Sequence, residues 1–218
     1  MKTLKKMSIS LLFVCICLQI HAQLIGLKAG LNLANLYIED IEEDNGYNML
    51  KGFHAGITIE QAIGNHVAVV SNLLLTSKGI TSRSESDFRG EKYVYTTKID
   101  LLYIDMPVQL KLTHDFGNLK LYAMAGPYIG MGLKGGIKFK SEGGGETEEN
   151  QFDIEWGDED RPFKRWDYGL QVGAGVEIGR LQLGAGYQYG LANISMNEEA
   201  NVKHRIWSFS VGYRLSQD

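Results

Sequence analysis

Cysteine is confined to positions 15 and 17 of this 218-residue chain, within the apolar start of the sequence. Its absence from all later positions excludes a disulfide framework, a catalytic thiolate and cysteine metal sites. No run of 18 apolar residues follows the start, which excludes a transmembrane helix of ordinary length. Basic charge is scarce too. The first 22 residues hold three of the 22 Lys and Arg and none of the 26 Asp and Glu, leaving 19 against 26 and a net charge of −7. A basic nucleic-acid footprint is therefore absent. No HExxH, GxSxG or phosphate-loop pattern occurs, and His54, His66, His114 and His204 fall on separate segments. No enzyme, cofactor or catalytic residue is expected on that basis.

Residues 1–22 read as an export signal. Lys2, Lys5 and Lys6 precede an apolar stretch from Ile9 to Ile20 that is too short to span a bilayer, and Ala22 offers a small residue before a cut at Gln23. Residues 23–218 then form one domain.

Strict alternation is the dominant pattern in that domain. In 167–190, Tyr168, Leu170, Val172, Ala174, Val176 and Ile178 share one face, and Gly169, Gln171, Gly173, Gly175 and Glu177 share the other. After Gly179-Arg180, Leu181, Leu183, Ala185, Tyr187 and Tyr189 alternate with Gln182, Gly184, Gly186, Gln188 and Gly190. Side chains alternate across a strand, so this is a hairpin with one apolar face. Its strands are long. A tilted strand of ~9–11 residues crosses a bilayer, against ~5–6 for an ordinary globular strand.

Eight such segments can be read: 24–35, 52–61, 67–78, 99–112, 119–133, 168–178, 181–190 and 205–215. Their connections alternate in length. Those at 62–66, 113–118 and 179–180 are tight, whereas 36–51, 79–98, 134–166 and 191–204 are long and polar. Short periplasmic turns, long outer loops and an even strand number describe an up-and-down membrane barrel. The expected fold is thus all-β, an eight-stranded antiparallel transmembrane β-barrel. Pro107 and Pro127 fall inside segments where a barrel has no free edge to hide a missing donor. A shared local bulge is the expected accommodation.

The stretches GLKAGLNLANL (26–36), YIDMPVQLKL (103–112), AMAGPYIGMGLKGG (123–136) and SFSVGYRL (208–215) resemble the PorT-like outer-membrane β-barrel domain of Bacteroidota, often labelled a porin family. The resemblance covers about 23–215. It implies location in the outer membrane, insertion by the barrel-assembly machinery and a link to protein secretion. The family's closing aromatic residue is replaced here by Leu215.

The polar face carries charges of both signs: Lys28, Lys78, Lys111, Lys120 and Arg214 against Glu60, Asp105, Asp167 and Glu177. An eight-stranded lumen is just wide enough to be filled by side chains. These nine residues are expected to pair there as a plug, with Gly126, Gly130, Gly173, Gly175, Gly184 and Gly186 making room and His54 as a satisfied structural histidine. The apolar face would meet outer-membrane lipid. A soluble eight-stranded ligand-carrying barrel would have the same alternation turned inside out, and a small channel or transporter would need an open lumen.

Residues 141–160 hold nine acids and no base, with a smaller cluster at 39–44. Glu146, Glu148, Glu149, Asp153, Glu155, Asp158 and Asp160 form a weak candidate for metal, since oxygen-rich loops bind calcium. Their spacing is not that of an EF-hand, and a solvated loop is the plainer expectation. The function expected is non-enzymatic: envelope structure, interaction through surface loops, or support of secretion with other envelope proteins.

Overall fold

The computed structural model describes residues 23–38, 47–88, 91–143, 146–154, 156, 163–197 and 200–215. The export segment 1–22, the acids at 39–44, Glu155 and the acids at 158–160 lie outside the described residues. The elements are β1 (Gln23–Ile38), β2 (Tyr47–Asn48), β3 (Leu50–Ala62), β4 (Val67–Phe88), β5 (Glu91–Phe116), β6 (Leu119–Gly143), β7 (Glu146–Ile154), β8 (Trp166–Ile178), β9 (Leu181–Gly190) and β10 (Val202–Arg214).

Every pairing is antiparallel. Around the sheet, β1 pairs β3, then come β4, β5, β6, β8, β9 and β10, and β10 returns to β1 with Leu33 opposite Trp207. The up-and-down sheet therefore closes into a ring, which leaves its members no free edge. Each alternating segment read from the sequence lies within one member of this ring, except that the last, 205–215, ends one residue past β10. β2 and β7 stand outside the circuit, adding to β4 and β6.

Alternation places the apolar residues outward. Leu31 is 67 % exposed and Phe209 51 %, whereas Asn32 and Gln109 on the other parity are each 1 % exposed. The crowded Leu73-Leu74-Leu75 run resolves in the same way: Leu73 and Leu75 face out and Leu74 faces in.

The two ends of the ring differ. At the turn end, residues 63–66, Gly117-Asn118 and Gly179-Arg180 join adjacent strands. Gly117 (φ 68°) and Gly179 (φ 57°) take the left-handed conformation that two-residue hairpin turns require. At the loop end, two of the expected long loops are folded sheet. β4 and β5 stay paired as far as Phe88 opposite Glu91, across most of 79–98. β6 runs on to Gly143, and β7 folds back along it within 134–166. β2, β4, β5, β6 and β7 thus form a sheet that rises beyond the ring.

The expected bulge at the prolines is not there. Pro107 pairs Tyr128, and Leu110 pairs Ala125 in the same register, with the two intervening pairs missing. The ladder likewise opens between Ser71–Val108 and Leu74–Asp105 on the β4 side. A missing N–H opens the ladder locally without inserting a residue. The register shift lies higher, at Leu102/Tyr103, where β6 takes up the extra Leu133.

Inside the loop end sits an apolar cluster. Leu36, Ile80, Leu101, Tyr103, Ile154, Phe163, Ala192, Ile194 and Val202 are buried together, with Trp156 packed against them. Trp156, Phe163, Ala192, Ile194 and Ala200 fold inward to complete it, so the cap caulks the lumen from within.

Candidate functional site

The lumen below the cap is crossed by two ionic clusters at different heights. In the loop-side cluster, Lys78 of β4 lies 2.9 Å from Asp105 of β5 and 2.8 Å from Asp167 of β8. The Tyr128 hydroxyl donates to Asp167 at 3.1 Å, and the Gln188 amide donates to Asp105 at 3.3 Å. The Lys78 ammonium also lies over the rings of Tyr103 and Tyr128, at 4.6 and 4.9 Å from their centroids. His204 is fully buried and meets Tyr103 edge-on at 5.5 Å.

In the turn-side cluster, Lys111 of β5 pairs with Glu60 of β3 at 2.7 Å and with Glu177 of β8. Arg214 of β10 pairs with the same two carboxylates, Glu177 closely and Glu60 at 3.5 Å. Gln182 of β9 donates to Glu177 at 3.0 Å. Five strands meet here, and both clusters tie walls that are not neighbours in the ring. Buried charges persist only when paired and hydrogen-bonded. Removing one partner of such a pair leaves an uncompensated charge.

Between the clusters, His54 bridges Asn32 (Nδ1 to Oδ1, 2.8 Å) and Ser210 (Nε2 to Oγ, 2.9 Å), the satisfied role expected of it. The glycines do make the room. A Cβ at Gly175 or Gly184 would fall 2.5 or 2.2 Å from the Tyr122 hydroxyl, and one at Gly130 would fall 2.4 Å from the Asp105 carboxylate.

Of the nine charges expected in one network, Glu60, Lys78, Asp105, Lys111, Asp167, Glu177 and Arg214 are joined in these two clusters. Lys120 is not. It has the parity of the lumen face but stands one residue from the Gly117-Asn118 turn, where its exposed ammonium pairs with Asp115 at 3.6 Å. Lys28 lines the lumen, with no ion pair to any described carboxylate. Parity alone missed the polar partners Tyr128, Gln182 and Gln188, although each lies on the charged face. His204 fell outside the strand limits read for 205–215.

The acidic metal candidates that are described do not gather at one point. Glu148, Glu149 and Asp153 lie on β7, where successive side chains point to opposite faces. Among the described residues, no group of three or more His, Asp or Glu is placed to hold a metal ion. Glu155, Asp158 and Asp160 lie outside the described residues.

Residues 19–196 match the family model of the outer membrane protein beta-barrel domain. The chain belongs to that outer-membrane β-barrel family. Membership indicates the bacterial outer membrane as its compartment. No curated protein matches the sequence. Among solved structures, the chain is similar to Ail, the attachment invasion locus protein of Yersinia pestis, at 15 % identity over 88 % of this chain and 98 % of that one, with a TM-score of 0.41. It is also similar to Neisserial surface protein A (NspA), at 16 % identity over 88 % and 97 %, with a TM-score of 0.42. Leu31, Phe209, Leu183 and their neighbours form the exposed apolar outer wall of the ring.

Proposed function

We propose that this protein is a closed, eight-stranded transmembrane barrel of the PorT-like kind that works through its loop-end surface and not by passing solutes. The observation that carries this reading is the double ionic tie across the lumen beneath an apolar cap. Residues 1–22 direct export, the turn end faces the periplasm, and β4, β5, β6 and β7 rise outside the cell. The barrel is non-enzymatic, and its role is envelope structure, interaction or support of secretion.

The rising sheet supplies the surface for that role. Tyr95, Phe139 and Phe152 are about half exposed on the face that continues upward from the cap, and Phe139 meets Phe152 edge-on at 6.1 Å. A cavity of about 160 Å³ opens among Tyr95, Thr97, Phe139, Ser141, Glu148 and Asn150. Exposed aromatics with small polar neighbours are the composition of recognition surfaces. Purified protein in planar bilayers is expected to give no steady conductance steps; steady steps from wild type would make it a small channel. A photo-crosslinker at Phe139 should capture envelope partners in cells, and capture solely from turn-end positions would move the function to the periplasmic side.

A further inference from the structure

Lys28 is the odd charge of the lumen. The turn-side cluster is balanced without it, Lys111 and Arg214 against Glu60 and Glu177. The loop-side cluster has one surplus negative charge, but the Tyr128 hydroxyl and the Gln188 amide hydrogen-bond its carboxylates. No acceptor among the described residues does the same for Lys28. Its side chain lines two cavities of about 20 Å³ each, one toward each cluster, and Ser210 lines both with it.

The turn-side cavity carries a second unsatisfied group. Asn72 lines it, is 5 % exposed, and has no hydrogen-bond partner for either Nδ2 or Oδ1. Asn72 lies where the β4–β5 ladder opens beside Pro107. Buried polar groups are expected to be satisfied, and a cavity of this size accepts one particle about as large as a water molecule. Glu60 also lines the cavity, but its carboxylate is already committed to Lys111 and Arg214.

We infer that the turn-side cavity is a binding site for one small monovalent inorganic anion, a halide, held by the Lys28 ammonium and the Asn72 amide. The anion pairs with the Lys28 ammonium and accepts from Asn72 Nδ2, with the Thr58 and Ser210 hydroxyls at the cavity wall as further donors. The small volume excludes tetrahedral anions such as sulfate.

Bromide, which scatters anomalously, is the probe. Crystals of the detergent-purified barrel grown in bromide should show an anomalous peak between Lys28 and Asn72, and crystals of Lys28→Met should lack it. The folded-form gel shift verifies that Lys28→Met is intact; if it is not, Asn72→Leu replaces it. In solution, exchanging sulfate for chloride or bromide at equal ionic strength should favour wild type over the variant by several degrees in the temperature at which the folded gel form is lost, because the general stabilisation by sulfate acts on both. A wild-type cavity without an anomalous peak, filled by water bridging Lys28 to Asn72, would overturn the inference. So would a halide-to-sulfate difference that is the same in wild type and variant.

Discussion

The lumen and the loop-end sheet use charge in opposite ways. In the lumen, Lys78 and Lys111 each hold two carboxylates from different strands, buried and cross-braced. On the sheet, Lys140 pairs with Glu142 and Arg83 with Glu85, neighbours on one strand face with both partners largely exposed. Exposed pairs of this kind contribute ~0–1 kcal/mol, whereas breaking a buried pair costs ~3–5 kcal/mol. The lumen charges thus brace the fold, and the sheet charges keep a protruding surface soluble. The lesson is that position along the barrel axis, more than residue type, decides what a charge does.

The largest effect should follow from breaking the brace. Lys111→Met leaves the carboxylates of Glu60 and Glu177 facing each other with Arg214 as their remaining cation, a loss of ~3–5 kcal/mol. Urea unfolding in detergent should show it as a lower midpoint. Next comes the lipid wall. Leu183→Arg should cost ~2–4 kcal/mol if it lies near the midplane. Gln182→Arg, one residue away, should be milder, because an Arg there still donates to Glu177. Equal losses for the two would mean that the faces are wrongly assigned. Lys120→Met should cost under ~1 kcal/mol, since it removes only an exposed pair with Asp115. Replacing 140–149 by a two-glycine turn should leave the ring's unfolding midpoint unchanged, because Ile154 and Trp156 of the cap are retained. A large loss of ring stability there would merge the two regions into one.

Much of this architecture is legible in the sequence because period-2 alternation is imposed by the pleat at every residue. It separated Leu183 from Gln182 and sent Lys78, Asp105 and Asp167 to one side. Parity says nothing about height along the axis, which is why Lys120 was grouped with charges it never meets. Nor does it reveal structure where both sides of a strand are wet. Residues 91–98 and 146–153 carry polar residues at both parities, so the upper part of β5 and all of β7 look like polar loops until their pairing is seen. The cap was hidden for another reason. Ile80, Leu101, Ile154 and Ile194 come from four separate stretches, and only closure of the ring brings them together. The pairing of Lys111 and Arg214 with the same two carboxylates is equally a product of closure, since four strands have to converge to make it.

The most direct measurement is the temperature at which the folded gel form of the purified barrel disappears, compared among wild type, Lys111→Met and the 140–149 replacement. The account predicts a marked drop for Lys111→Met and wild-type behaviour for the replacement. An unchanged midpoint in Lys111→Met, or a matching drop in the replacement, would contradict a fold braced through its lumen.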